Sequence, residues 1–249
     1  MKKTPAGRDK DTPTGTGGTG PEAVVRALVD WLGHPHTGYD FVKVGKLMAT
    51  VDTAGFVRDH MPLATIHAKR KQLQRAAFDA REVEGLVLEF GVAGGRSITL
   101  FANAAPDQAV YGFDSFEGLP EDWTTMHKAG HFAQPLPEVP ANAELVVGWF
   151  DATLPGFLEA HPGPVSFLHV DCDLYSSTKT IFDLLGDRIV PGTIILFDDY
   201  FNYPTWRQHE HKAFMEFVAA NDVRFEYIGA VNCNMQVAVR IDAIRGASR

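Results

Sequence analysis

The feature that most constrains this chain is an alternation along its C-terminal two thirds. Short runs dense in β-branched and aromatic residues, "GLVLEFG", "AVYGFDSF", "AELVVGWF", "VSFLHVDCD" and "GTIILFDDY", are separated by segments with helical spacing, "GRSITLFANAA", "LPGFLEAH" and "TKTIFDLLGDRIV". Runs apolar on both faces suit central strands of a parallel sheet, and parallel neighbours need helical crossovers between them. The alternation therefore predicts a doubly wound α/β fold, Rossmann-like, with helices on both faces of a mostly parallel sheet. Two further runs, "RFEYIGA" and "NMQVAVRI", lack a helix between them and read as an antiparallel hairpin at the edge, making seven strands.

Ahead of the first strand the chain reads differently. Residues 1–20 are rich in Gly, Thr, Pro and Lys and cannot repay the entropy of ordering, so they are expected to form a disordered tail. Helical spacing follows in "PEAVVRALVDWLG", "FVKVGKLMATVDTAGFVRDH" and "IHAKRKQLQRAAFDAR", which makes 21–82 an expected helical cap or lid and 83–249 the catalytic-type domain. An irregular insertion at about 120–142 is too long for a simple connection and reads as a substrate lid.

In an open α/β sheet, ligands bind beyond the C-terminal strand ends. "EFGVAGGRS" stands at such an end, with Gly91, Gly94 and Gly95 allowing close backbone approach. The spacing is not G-x-G-x-x-G, because Ala93 occupies the second glycine position. Glu89 just before it would repel a pyrophosphate and suits a cationic amino group. Asp114 ends the second strand nineteen residues after Gly95, where an acid can accept from ribose hydroxyls. Together these point to S-adenosylmethionine rather than a nicotinamide dinucleotide.

The blocks "FGVAGGRSI", "YGFDSFEGLPEDW", "GWFDATLP", "HVDCDLYSST" and "ILFDDY" resemble, in that order, the class I methyltransferases of the macrocin O-methyltransferase type, which methylate sugar hydroxyls of natural products. The resemblance runs from about Leu86 to the C-terminus. It implies that Glu89 and Gly91 contact the methionine part of the cofactor and Asp114 the ribose. It also puts Ser115 with Gly148, Trp149 and Phe150 on the adenine side, and counts Ser97 and Asp171 among the cofactor contacts.

Acids that close apolar strands must be solvated, paired or bound to a cation. Asp171 and Asp173 end the fourth strand, and Asp198 and Asp199 the fifth, so their carboxylates should converge in a hard-oxygen setting that suits Mg²⁺. A hydroxyl is too weak an acid to ionise near neutral pH, and a divalent cation with a nearby carboxylate would activate it. The resemblance makes Asp171, Asp198 and Asp199 the metal ligands and Asp171 the catalytic base, with Asp173 structural. His209 is a second catalytic candidate. It and His211 are two apart in "RQHEHKAF" and do not form a zinc motif. His169 reads as a core histidine, and the aromatics of "YFNYPTW" either as a substrate platform or as loop packing.

The expected function is a Mg²⁺-dependent O-methyltransferase acting on a hydroxyl of a small, glycosylated natural product. A metal-independent enzyme of the same fold and a non-catalytic cofactor-binding protein are the alternatives. With 23 Lys plus Arg against 31 Asp plus Glu the net charge is -8, which disfavours nucleic acid as a partner. Two cysteines without metal or disulfide spacing, and no long apolar run, suit a cytoplasmic protein without membrane contact. The partner is then a small-molecule hydroxyl acceptor, sugar or polyketide-like, and the resemblance favours a homo-oligomer.

Overall fold

The computed structural model describes residues 27–28, 30–34, 38–124 and 127–244. The expected tail, 1–20, lies outside them. The chain divides into two compact units, residues 1–47 and 48–249. In the first, the bridges Gly33–His34 and Gly38–Tyr39 pair antiparallel, and Lys43 Nζ donates to the Trp31 carbonyl at 2.9 Å. Helix α1, Phe41–His60, begins in this unit and continues into the second.

The second unit is built on eight strands: β1 (Thr65–His67), β2 (Leu86–Phe90), β3 (Val110–Asp114), β4 (Ala143–Val147), β5 (Val165–Val170), β6 (Ile189–Phe197), β7 (Arg224–Val231) and β8 (Val237–Ala243). Their order in the sheet is β1-β7-β8-β6-β5-β2-β3-β4. The five strands from β4 to β6 are mutually parallel. β8 runs antiparallel to both β6 and β7, which is the expected terminal hairpin. The eighth strand, β1, adds in parallel to β7. Two of its three residues, Ile66 and His67, come from a stretch whose spacing suggested helix; Thr65–His67 is short of any helical repeat, and the helix starts only at Arg70.

Helices α2 (Arg70–Asp79) and α3 (Arg96–Ala104) cover one face of the sheet. There Leu73, Phe78, Ile98 and Phe101 pack on Val87, Phe167 and Ile194. Helices α4 (Phe150–Ala160), α5 (Tyr175–Leu185) and α6 (Glu210–Ala220) cover the other face. Here Leu154, Ile181 and Phe214 meet Leu88, Phe90, Leu168 and Phe197. The strand residues alternate between these two clusters, so the β2, β5 and β6 runs had to be apolar on both faces.

The chain leaves β2 toward β4 on one side and returns at β5 on the other, so the sheet has its switch point between β2 and β5. The two strand ends are sewn together by Asp171 N–H donating to the Phe90 carbonyl at 2.9 Å, and β6 joins them through Asp198 N–H donating to the Val170 carbonyl at 2.9 Å. Gly91 sits in this seam with φ +92°, and a Cβ there would lie 1.7 Å from the Asp171 carbonyl oxygen. Only glycine fits both the angle and the space.

Candidate active site

A cavity of about 1040 Å³ opens at the switch point, the place where ligands enter folds of this layout. Its floor is the turn from Gly91 to Gly94 and the first turn of α3. One wall carries Asp114, Ser115, Trp149 and Phe150, and the opposite wall Asp171, Asp173 and the start of α5. Arg70, Lys71 and Gln74 of α2 close one side, and Leu119, Glu121, Phe132 and Gln134 from the insertion close another. Both regions read from sequence as lids, 21–82 and 120–142, thus contribute to the cavity wall, the first through α2.

Asp114 organises the cofactor-type half. Its Oδ2 accepts from the N–H groups of Val92 and Ala93, both at 2.9 Å, and its Oδ1 accepts from Phe116 N–H at 2.8 Å. A carboxylate offers about four lone-pair sites, so roughly one remains, on Oδ1, for a ligand hydroxyl. Ser115 turns its hydroxyl oxygen to Glu117 N–H at 3.1 Å. Trp149, 37% exposed, and Phe150 offer aromatic surface to the cavity. Gly148 supports them from behind, donating its N–H to the Asp114 carbonyl at 3.0 Å.

Glu89 stands elsewhere than the cavity wall. It is fully buried in β2, where Oε1 accepts from the Ser97 hydroxyl at 3.0 Å and Oε2 faces His169 Nδ1 at 3.0 Å. Ser97 lines the cavity, but its hydroxyl hydrogen points back to Glu89. Burial by itself would lower the His169 pKa, yet the carboxylates of Asp198 and Glu89 outweigh it and lift the imidazole to about 10. These acids favour the protonated imidazole, and Glu89 is the one hydrogen-bonded to it.

The acids fall into two groups. Asp171 and Asp198 end neighbouring strands in register, and Arg70 Nη2 bridges them, 2.8 Å from Asp171 Oδ2 and 2.7 Å from Asp198 Oδ1. His169 Nε2 lies 3.8 Å from the same Asp198 oxygen, too far for a hydrogen bond. Enclosure in the protein and the Asp198 charge push the Asp171 carboxyl well above its ordinary range, with His169 and Arg70 pulling it back. Asp199 turns the other way. It is buried near Asp173, and its N–H donates to Glu210 Oε2 at 3.0 Å. Burial raises Asp173, Asp199 and Glu210, and repulsion from neighbouring carboxylates, Asp198 among them, adds to it. Asp173 has φ +63° and does not cap α5, whose N-cap residue is Leu174.

Among the described residues, the group with ligand atoms close enough for one ion is His169, Asp171 and Asp198, all within 4.8 Å of one another. Asp199, expected as the third ligand, is not part of it, because successive residues past the strand end point to opposite sides. The remaining pair still fits a hard cation. Its oxygens are carboxylate, and buried Asp198 Oδ1 has no partner beyond the Arg70 ion pair.

His209 does not line the cavity. Its ring lies 6.1 Å from Tyr203 and 6.4 Å from Trp123, and burial lowers its pKa. His211 faces Phe56, Tyr200 and Trp206 instead, so the two histidines diverge. Tyr200, Phe201 and Trp206 are buried, which makes most of "YFNYPTW" loop packing. Residues 48–60 of α1 dock on this loop, where Asp52 accepts from Trp206 Nε1 at 3.0 Å and from two nitrogens of Arg207. Arg70 and Glu210 had no signal in the sequence: one sits in a basic helix start, the other in a charged helix.

A family model described as a methyltransferase domain matches residues 88–200. The 8-demethyl-8-(2,3-dimethoxy-alpha-L-rhamnosyl)-tetracenomycin-C 4'-O-methyltransferase of Streptomyces olivaceus is 35% identical over 143 residues, 47% of this chain and 54% of that protein. The chain thus spans about half the length of this curated relative. Among solved structures, the calicheamicin methyltransferase CalS11 superposes with a TM-score of 0.57 at 20% identity, covering 95% of this chain and 99% of that one. The O-methyltransferase NovP does so with a TM-score of 0.52 at 21% identity, covering 81% and 99%. The topology, the cavity at its switch point and these likenesses agree: the chain shares the Rossmann-like α/β fold of these methyltransferases, and residues 88–200 are similar to the methyltransferase domain family.

Proposed function

We propose that the protein is an S-adenosylmethionine-dependent O-methyltransferase whose acceptor is a sugar hydroxyl on a small glycosylated natural product, and that a divalent cation, Mg²⁺, assists it. The observation that carries this reading is one cavity with an acid suited to ribose, Asp114, on one wall and the acids Asp171 and Asp173 on the other. The named activity of the tetracenomycin-sugar relative supports the acceptor class. S-adenosylmethionine supplies an electrophilic methyl group. Asp114 holds and orients the ribose, the backbone at Gly91 lies against the methionine part, and Trp149 and Phe150 flank the base. The floor held by Glu89 and His169 keeps the strand ends rigid, so the methyl donor and acceptor meet in one geometry.

Asp171 and Asp198 would hold the cation, which supplies Lewis acidity that lowers the pKa of an acceptor hydroxyl. Asp171, exposed to the cavity over 25% of its side chain, takes the proton. The Arg70 bridge favours a second reading, in which the guanidinium replaces the cation and the enzyme is metal-independent.

Isothermal titration with S-adenosylhomocysteine, with and without Mg²⁺, tests the assignment. Binding that Asp114→Ala weakens is the expected result, and absence of binding under every condition would overturn the methyltransferase reading. With rhamnosylated polyketide acceptors, Asp171→Asn should lose turnover and keep cofactor binding; retained turnover would remove Asp171 as base.

A further inference from the structure

The ion pair at the strand ends differs in geometry from the forked arginine pairs among the described residues. Arg207 grips Asp52 as a fork, with Nε at 3.1 Å and Nη2 at 3.0 Å on two separate oxygens. Arg70 instead places a single nitrogen, Nη2, on two different acids, and its Nε is buried without an acceptor. A guanidinium gains most when it meets a carboxylate with two parallel bonds. Arg70 therefore acts here as a compact positive charge placed between Asp171 and Asp198, and half of its hydrogen-bonding fork goes unused.

The oxygens it bridges belong to Asp171 and Asp198, the pair that would ligate a cation. Arg70 stands in the first turn of α2. Its side chain is 39% exposed and borders the cavity, so it has open space to withdraw into. A divalent cation on the same oxygens would face a full positive charge at contact distance in a partly dry site, where repulsion is weakly screened.

We infer that Arg70 is a resident counter-cation that competes with the divalent cation for the Asp171–Asp198 pair, so that the metal binds only when the guanidinium swings out into the cavity. The inference rests on the metal reading above and makes Arg70 a determinant of metal affinity. Without metal it keeps two adjacent carboxylates from repelling one another; with metal it is displaced.

The test is calorimetric titration of chelator-treated protein with Mg²⁺, comparing wild type, Arg70→Met and Lys71→Met. Lys71 borders the same cavity and controls for a general loss of positive charge. Arg70→Met should bind Mg²⁺ about tenfold or more tightly than wild type, and Mg²⁺ should raise its melting temperature more than it raises that of wild type. Lys71→Met should stay within about twofold of wild type, its charge being screened by solvent. Equal or weaker Mg²⁺ binding by Arg70→Met overturns the competition while leaving the metal site standing. No Mg²⁺ binding by either protein overturns the metal site and the competition together, and leaves the cofactor reading to the S-adenosylhomocysteine titration. Should Arg70→Met not fold, a crystal structure of the wild type with Mn²⁺ decides. Manganese on Asp171 and Asp198 with Nη2 withdrawn from both is expected, and manganese there with the bridge intact refutes the inference.

Discussion

Asp114→Asn isolates the contribution of one carboxylate to both the fold and the ligand site. The wild-type group accepts three backbone N–H bonds of 2.8–2.9 Å, and each is strengthened by the negative charge. An asparagine keeps one acceptor oxygen and replaces the other by a donor. If the oxygen faces Val92 and Ala93, the amide NH₂ meets Phe116 N–H, donor against donor. The unmade bond costs roughly 1–3 kcal/mol, and the two bonds that lose charge assistance cost roughly 0.5–1 kcal/mol each. Allowing for water at the cavity wall, the total is about 3 kcal/mol. For a chain of this size that lowers the melting temperature by roughly 6–12 °C. The last acceptor site, on Oδ1, is lost as well, so S-adenosylhomocysteine should bind roughly 10–100-fold more weakly. Differential scanning fluorimetry and calorimetric titration read the two effects separately. A variant that melts within about 2 °C of wild type and binds the ligand equally would show that the three N–H bonds are incidental, and would remove Asp114 from the site.

Gly91→Ala places a methyl group 1.7 Å from the Asp171 carbonyl at φ +92°, and should cost more than about 4 kcal/mol; soluble protein with a wild-type urea midpoint would contradict the seam. Glu89→Gln strips His169 of its buried counter-ion, and breaking such a pair costs roughly 3–5 kcal/mol. Chemical denaturation at pH 7 should show the loss, and an unchanged midpoint would mean that His169 is neutral. His211 is held neutral by burial first and by the Arg207 and His60 charges next, with its pKa pushed down to about 4. The unfolded chain takes up this proton near pH 6.5 while the folded one does not, so stability from this group is complete above pH 6.5 and falls toward pH 4. The ceiling is about 3 kcal/mol, and partial solvent access reduces it to roughly 1–2 kcal/mol. His211→Gln should flatten the urea midpoint between pH 7 and pH 5 relative to wild type; parallel profiles would place the titration elsewhere.

The parallel core of the sheet was legible because its strands are buried on both faces. Val87, Phe167 and Ile194 go to one cluster and Leu88, Phe90, Leu168 and Phe197 to the other, so the few polar residues in these runs had to be paired, Glu89 with His169 and the Ser166 and Thr193 hydroxyls with backbone carbonyls. β1 was not legible. Three residues at a sheet edge, two of them exposed, carry no period, and a neighbouring helix with strong spacing absorbed them. The antiparallel β7–β8 hairpin was legible from a missing element, since a parallel return would have required a crossover.

The site divides along the same line. Asp114, Asp171 and Asp198 were readable because each is the residue at which an apolar run stops, and a strand end fixes both position and direction. Glu89 was visible for the opposite reason, as an acid inside an apolar run, and that is why its role differs from the one resemblance implied. A buried carboxylate in mid-strand needs a partner within the protein, and His169 on the adjacent strand in register supplies it. Asp199 follows Asp198 directly, and sequence adjacency suggested shared duty, whereas the alternation of side chains sends it to Glu210 and Asp173. Arg70 was beyond reach because its partners are 101 and 128 residues away and nothing in "HAKRKQ" distinguishes it from the basic residues beside it. Strand ends announce where charge gathers; which counter-charge meets it is decided by a helix on the face of the sheet, and that is a property of the packed structure alone.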